Sequence, residues 1–377
     1  MDATNRISQL LSECLDEGIQ NDVFPGGVIG VQIGGTEPIT ASLGNQGAYI
    51  YDLASLTKVM ATLPMILLSI QAGKLTLDTP VERVVPEFTA PAGDHRRSQI
   101  TVRHLLTHSS GLPAWRPYFV RLSGRDQYLQ AICHEPLEYE PGLKIVYSDL
   151  GLILLGFMLE RIWDRGLDQL VSEQITVPAG MRDTCYNPEQ ALSEVIAPTE
   201  EGFEYERQMA VSYAKLYEDG KLPKGSFELI GEQVEHFVWT KARTLGKVHD
   251  ANTYYGLNGI SGHAGLFATM QDIAQYMNIW QQGHLISRSL VEMACSSHKV
   301  DGRISRGLGW EKYSDTLYGH TGFTGTSIWF SLVDKLTIIT LTNRVHPFVR
   351  EGIQAWRIKQ RDHLVTSLLQ SSKELLR

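Results

Sequence analysis

The 377-residue sequence has only four cysteines, and no two of them show the Cys-x-x-Cys spacing of zinc or redox sites. Their scatter indicates buried or free thiols in a reducing compartment, not a disulfide framework, at Cys14, Cys133, Cys185 and Cys295. His-Glu-x-x-His, Walker A and Gly-x-Ser-x-Gly patterns are absent from the sequence. Metalloprotease, P-loop and α/β-hydrolase assignments therefore lack their usual sequence support.

The chain also lacks an excess of basic residues and long apolar runs. Its net charge of -8 gives no electrostatic reason to expect nucleic acid or an anionic membrane as partner, and small molecules or peptides are expected instead. No stretch reaches the roughly 20 apolar residues of a membrane span, and the N-terminus has no basic segment followed by an apolar run. We expect a cytoplasmic protein, although a removed leader would leave no trace. The sequence does not indicate an oligomeric state.

What is present is a chain with strand patterns at both ends and helical patterns between them. Residues 25–44 resemble a hairpin, and four further strand patterns lie between residues 307 and 343. From residue 78 to 246 amphipathic segments joined by Pro and Gly turns predominate. We predict an α+β fold with a discontinuous sheet domain, residues 1–77 and 247–377, and an inserted mainly helical domain, residues 78–246. The substrate cleft is expected between the two units.

Three finer predictions concern individual segments. The apolar pattern from Leu56 to Ile70 predicts a helix that Pro64 should kink or shorten. Residues 200–246 are charged and aromatic without sustained periodicity, so they are predicted to be a long surface excursion that lines a cleft. A last helix is expected over residues 349–376.

Ser55 and Lys58 stand three residues apart at the start of the first predicted core helix. At that spacing the lysine amine can reach the serine hydroxyl, and a lysine of lowered pKa can activate a serine nucleophile. The spacing alone does not decide between a catalytic pair and a helix cap beside a solvated lysine, because Ser296 and Lys299 repeat it.

Two further motifs accompany the pair. Tyr147, Ser148 and Asp149 lie where a loop enters an apolar helix, and His320, Thr321 and Gly322 lie in a strand region. The order Ser-x-x-Lys, Tyr-Ser-Asp, His-Thr-Gly resembles the serine β-lactamase and DD-peptidase superfamily, in its class C-like branch. That branch also contains penicillin-binding-protein-related esterases, D-aminopeptidases and cell-wall amidases. The stretches LLTHSSGLP, GHAGLFATMQDIAQYM and TLTNRVHP resemble the same branch.

The resemblance implies a β-lactamase/DD-peptidase fold, with an antiparallel sheet flanked by N- and C-terminal helices, and assigns roles to the motif residues. Ser55 would be the nucleophile, Lys58 its activating neighbour and Tyr147 the proton shuttle. The backbone N–H groups of Ser55 and Phe323 would form the oxyanion hole. The substrate would lie against the wall formed by His320, Thr321 and Gly322.

Two departures from the family motifs bear on the substrate. Asp149 stands where the family has an asparagine, and an ionised carboxylate can only accept hydrogen bonds, which argues against β-lactam recognition. His320 replaces the lysine of β-lactamases and attracts a substrate carboxylate less strongly when neutral. Arg344 could supply that positive charge, or it could be an ordinary surface arginine.

No metal or cofactor is expected. His249, Asp250 and His263 do not have a metal-ligand spacing, and His263 in its Gly-rich turn is expected to order the cleft floor. The leading hypothesis is a serine hydrolase that forms an acyl-enzyme with an amide or ester, in a cell-wall-derived peptide containing D-amino acids. The alternatives are a small-molecule carboxylesterase and a penicillin-binding sensor without turnover.

Overall fold

The computed structural model describes residues 3–44, 49–89, 94–188, 195–241, 245–300 and 304–375. Helices run over α1 Ala3–Gln20, α2 Leu63–Gln71, α3 Val102–Leu106, α4 Arg125–His134, α5 Asp149–Trp163, α6 Leu167–Val171, α7 Glu204–Glu218, α8 Gly231–His236, α9 Met270–Gln282, α10 Arg288–Cys295 and α11 Ile353–Leu375. Strands run over β1 Gly27–Ile33, β2 Ile39–Leu43, β3 Ile50–Asp52, β4 Cys185–Tyr186, β5 Leu266–Thr269, β6 His298–Val300, β7 Ile304–Arg306, β8 Glu311–Lys312, β9 Leu317–Thr321, β10 Ser327–Ser331 and β11 Leu336–Thr342.

The main sheet joins the two ends of the chain. Its six antiparallel strands follow the order β2-β1-β11-β10-β9-β8, so the N-terminal hairpin pairs with the last strand, with Val31 opposite Ile338. Its side chains alternate between faces, as the two-residue period of a strand requires. Trp329 and Ile338 pack with α1 and α11, whereas Ile328 and Ile339 pack into the large central core.

The central core lies on the inner face of this sheet. The helix α5 is buried from Leu150 to Leu159, the stretch of its sequence that carries no charged or polar side chain. The core includes residues from both predicted domains, and β4 pairs with β5 across the predicted boundary at residue 246. The α+β prediction, with helices at both ends of an antiparallel sheet, is confirmed. The division into two domains stays a prediction.

Two segment predictions need correction. The stretch 200–246 is not only an excursion, because α7 occupies fifteen of its residues and buries Ala210, Tyr213 and Ala214 at helical spacing. This apolar stripe consists of alanines and a tyrosine in place of the usual large aliphatic residues, so its helical period does not stand out in the sequence. Residues 242–244 of the stretch lie outside the described residues. The last helix begins at Ile353, after Gly352 in the left-handed region with φ 82°, and residue 376 of that prediction is also not described.

Within the described part of the chain, one helical segment is apolar enough and long enough to cross a membrane, Ala54–Gln71, and 78% of it is buried in the protein. It is a core segment of this fold. The described residues contain no disulfide; Cys14, Cys133 and Cys295 are buried and Cys185 is exposed.

Candidate active site

Ser55 lies in a 3₁₀ turn, Ala54–Leu56, that directly follows β3, and Lys58 begins the next turn of the same segment. The lysine ammonium donates a hydrogen bond to Ser55 Oγ over 2.8 Å, although it is only 1% exposed. Ser296 and Lys299 have the same spacing but different surroundings. Ser296 follows α10 and donates to the Met293 carbonyl over 2.7 Å, while Lys299 lies in β6.

The Lys58 ammonium has two further acceptors. Its Nζ lies 2.8 Å from Asp149 Oδ1 and donates to the His263 carbonyl over 3.1 Å. An ammonium carries three N–H donors and no acceptor: Ser55 and the His263 carbonyl use two of the donors, and the charge is paired with Asp149. Burial by itself would lower the pKa of Lys58, but Asp149 and Tyr147 offset it, and the pKa is raised overall. Lys58 is therefore a cation in the resting protein.

Tyr147 and Asp149 reach the same place because they flank the start of α5. Ser148 caps this helix, with its Oγ accepting from the Gly151 N–H over 3.2 Å and donating to the Pro113 carbonyl over 2.6 Å. The Tyr147 ring lies 4.9 Å from Lys58 Nζ. Burial raises the pKa of the Tyr147 hydroxyl, Lys58 and Ser55 act in the opposite direction, and Asp149 raises it further.

The opposite wall of the site is the end of β9 with the turn that follows it. Gly322 is required there, because a Cβ atom would lie 2.4 Å from the Leu53 carbonyl and 2.1 Å from Thr326 Oγ1. Thr326 and Thr324 donate from their hydroxyls to the carbonyls of Leu53 and Asp52, over 3.0 and 2.7 Å. The His-Thr-Gly turn is thus fastened to the residues just before Ser55.

His320 is buried, its Nδ1 lies 2.9 Å from the Thr321 carbonyl, and its ring lies 6.1 Å from the ring of Tyr147. Burial, together with Lys58 and Arg306, holds the pKa of His320 well below its usual value, so the imidazole is neutral.

Arg344 is buried beside Phe323, at 7% exposure, so the surface-arginine alternative is wrong. Its Nε donates to the Phe323 carbonyl over 2.7 Å, its Nη1 donates to the Arg350 carbonyl over 2.7 Å, and its guanidinium covers the Phe323 ring at 4.4 Å. These contacts support the backbone at Phe323. Carboxylate binding by Arg344 stays a prediction.

The structure therefore brings the three motifs together around one lysine. A family model described as Beta-lactamase matches residues 11–362 of the chain. The chain belongs to the beta-lactamase family. The prediction of a serine hydrolase with this fold is confirmed.

Known relatives agree with that assignment. A protein of Escherichia coli strain K12, provisionally named a D-alanyl-D-alanine carboxypeptidase, is 32% identical over 339 residues, or 82% of this chain and 71% of that protein. A class C beta-lactamase from Rhodobacter sphaeroides has a TM-score of 0.69 at 14% identity, covering 96% of this chain and 100% of that one. EstCE1, a hydrolase with promiscuous acyltransferase activity, has a TM-score of 0.68 at 20% identity, covering 96% and 98%.

Two basic residues lie beside this beta-lactamase-family site and were missed as site residues. His108 stacks on Tyr147 with ring centroids 4.5 Å apart, and its Nδ1 accepts from the Ser148 N–H over 3.0 Å. Arg306 is buried near His320 and Tyr147 and donates to the Gly309 carbonyl over 2.9 Å. His108 stands in the LLTHSSGLP stretch, which was a usable signal. No motif marks Arg306.

Two histidines near the site pair with carboxylates. His249 Nε2 lies 2.8 Å from Glu200 Oε2, and His263 Nε2 lies 3.1 Å from Asp250 Oδ1. Across the residues that the structure describes, no three such side chains converge as metal ligands. His263 lies at the site through its carbonyl, which accepts from Lys58.

Proposed function

We propose that this beta-lactamase-family protein hydrolyses an amide or ester bond through an acyl-enzyme at Ser55, with a small peptide containing D-amino acids as substrate. One observation carries the proposal: a single buried ammonium, that of Lys58, contacts Ser55, Asp149 and the face of Tyr147. The name of the Escherichia coli relative supports the choice of a D-alanyl peptide.

Acylation begins with attack of Ser55 Oγ on the substrate carbonyl carbon. Lys58 is a cation, so it has no lone pair for the serine proton. We assign the proton to Tyr147, whose oxygen, deprotonated in the reactive form, is paired with the lysine charge. Tyr147 then protonates the departing amine or alkoxide. The backbone N–H groups of Ser55 and Phe323 stabilise the oxyanion.

Deacylation repeats these steps with water. Tyr147 accepts a proton from water, the resulting hydroxide attacks the acyl carbon, and Ser55 Oγ leaves with the proton returned from Tyr147. The products are a carboxylic acid and the original serine. Thr321 and Gly322, at the end of β9, form the wall along which the substrate lies.

Asp149 is the residue that selects the substrate. Its Oδ1 holds Lys58, and the side chain is 20% exposed at the site. A carboxylate in this place accepts hydrogen bonds and repels other acceptors, so it favours a substrate N–H or ammonium group over a carbonyl oxygen. Benzylpenicillin should therefore acylate Ser55 poorly, and Asp149→Asn should increase its acylation rate about tenfold, which is about 1.4 kcal/mol.

A second candidate function is that of a small-molecule carboxylesterase. A peptide substrate with a free C-terminus needs a cation for its carboxylate, yet His320 is neutral and Arg344 directs two of its nitrogens at backbone carbonyls. An ester substrate has no such need. A penicillin-binding sensor without turnover would differ from both enzymes because the acyl group would stay on Ser55.

A substrate panel tests these proposals. Hydrolysis of D-alanyl-D-alanine peptides, D-amino-acid amides and p-nitrophenyl esters is compared for the wild-type protein and Ser55→Ala. We expect the wild-type protein to cleave the D-alanyl peptides and the Ser55→Ala variant to lose this activity. Ester cleavage alone would support the esterase. Hydrolysis that survives in Ser55→Ala would overturn both, and stable acylation without acid release would indicate a sensor. Cytoplasmic location stays a prediction.

A further inference from the structure

The adjacent residues His249 and Asp250 approach the site from outside the three motifs. His249 is buried, at 3% exposure, and Asp250 pairs with His263, whose carbonyl accepts from Lys58. In the sequence the segment lies between α8 and β5. Asp250 is linked to Lys58 through His263. His249 faces the region of Ser55 and Phe323.

The backbone of His249 is linked to the turn that carries the nucleophile. Its N–H donates to Asp52 Oδ2 over 2.6 Å, and Asp52 Oδ1 accepts from the Ala54 N–H over 2.9 Å. Ala54 has a φ of 47°, in the left-handed region that a residue with a Cβ rarely adopts. The Asp52 carboxylate therefore holds an uncommon backbone conformation directly before Ser55, and His249 holds that carboxylate.

The ring of His249 is linked to the other half of the site. It stacks on Phe323 with centroids 5.5 Å apart and planes inclined by 19°. Its Nε2 lies 2.8 Å from Glu200 Oε2, and both side chains are buried. The second Glu200 oxygen accepts from the Tyr205 N–H over 3.1 Å, and the Tyr205 ring also contacts Phe323 at 4.9 Å. Glu200 thus contacts the ring of His249 and the backbone of Tyr205, the two residues whose rings pack on Phe323.

We propose that His249, oriented by Glu200, is a positioning residue that aligns the two backbone N–H groups of the oxyanion hole, those of Ser55 and Phe323. This inference rests on the proposed acyl-enzyme function. Donors of an oxyanion hole stabilise the transition state only when they point at the developing charge. A loosened Phe323 should therefore impair the chemical step and leave ground-state binding of the substrate almost unchanged.

Two variants and one inhibitor test the inference. His249→Ala removes the ring and keeps the backbone N–H, whereas His249→Phe keeps a stacking ring and loses the bond to Glu200. Phenylboronic acid forms a tetrahedral adduct with a serine hydroxyl and so reports on the oxyanion hole. For His249→Ala we expect kcat for a p-nitrophenyl ester to fall about tenfold or more and the boronate inhibition constant to rise by about the same factor. KM should change less than about twofold. His249→Phe should recover part of the loss.

The control is Leu11→Ala, which removes a buried side chain from the core between α1 and the outer face of the sheet. It should lower the melting temperature and leave kcat and boronate affinity unchanged. If His249→Ala lowers the melting temperature but behaves like Leu11→Ala in kcat and boronate affinity, the positioning role is overturned.

Fluorophosphonate labelling of the wild-type protein separates the two proposals. No label on Ser55 would overturn the proposed function itself, whereas a labelled Ser55 with unchanged boronate affinity in His249→Ala overturns only this inference.

Discussion

Asp149 changes the charge of the site at the scale of a single residue. In the family motif an asparagine occupies this place, and here the carboxylate lies 2.8 Å from Lys58 Nζ. The carboxylate raises the pKa of Lys58 and also that of Tyr147. The shift at Tyr147 keeps a proton on the hydroxyl that must accept one from Ser55, whereas Lys58 stays a cation throughout. Tyr147 therefore needs a higher pH to lose its proton than it would without Asp149.

The pH dependence of Asp149→Asn tests this consequence. Removing the carboxylate should lower the pKa of Tyr147, so the deprotonated tyrosine that accepts the Ser55 proton should persist to lower pH. We expect the acidic limb of the kcat/KM profile to move down by about 1 pH unit or more. The fully exposed Asp315 provides the control, because Asp315→Asn should leave the limb in place. A limb that stays or moves to higher pH in Asp149→Asn would show that the carboxylate does not govern the base.

At the scale of the element, Pro64 shapes the segment that carries Ser55 and Lys58. The turn Lys58–Thr62 is π-helical, with the Leu63 N–H bonded to the Lys58 carbonyl. In that pattern the next carbonyl, of Val59, would accept from residue 64, but proline has no N–H. The buried Tyr276 hydroxyl donates to the Val59 carbonyl instead. In place of the predicted kink at Pro64, the segment has a wider, π-helical turn. The Tyr276 hydroxyl provides the hydrogen bond to the Val59 carbonyl that the backbone of residue 64 cannot provide.

A double-mutant cycle tests this replacement. Tyr276→Phe leaves the buried Val59 carbonyl without its donor and should reduce the free energy of unfolding by about 1 to 3 kcal/mol. In the Pro64→Ala background the new N–H can serve the carbonyl, so the same substitution should cost at least about 1 kcal/mol less. Chemical denaturation of the four proteins measures both. Equal costs in the two backgrounds would mean that Pro64 is not the reason for the Tyr276 contact.

At the scale of the whole molecule, the chain buries neutral histidines inside the fold. His108 and His320 are each 1% exposed, and burial together with Arg306 and Lys58 holds their pKa values well below 6.5. The unfolded chain binds protons at these histidines from about pH 6.5 downward, whereas the folded chain does not. Stability is therefore complete above that pH and is lost as the pH falls toward the folded-state values.

The acid sensitivity of unfolding measures this effect. Between about pH 7.5 and 5.5 the free energy of unfolding should fall by about 2 to 3 kcal/mol for the two histidines together. The double variant with His108→Gln and His320→Gln should show a correspondingly flatter dependence, whatever its stability at neutral pH. An unchanged slope in the double variant would show that these histidines bind protons equally in both states.

The same scale explains which features could be predicted from the sequence. The hairpin, the C-terminal strands and the Ser-x-x-Lys and Tyr-Ser-Asp motifs are local patterns, and each can be read within a few residues. The contact of Lys58 with the His263 carbonyl spans 205 positions. Likewise, the Arg357 guanidinium on α11, which donates to the Gly322 carbonyl over 2.6 Å, depends on how the chain ends meet. Arg306 and the burial of Arg344 have no local signature for the same reason.

The most direct test of the central claim is the site of covalent modification by a fluorophosphonate, located by peptide mass spectrometry. We expect one adduct per chain, on Ser55, its loss in Ser55→Ala and its persistence in Ser296→Ala, which changes the serine of another Ser-x-x-Lys sequence. An adduct that persists in Ser55→Ala, or one found on Ser296, would contradict the assignment of Ser55 as the nucleophile.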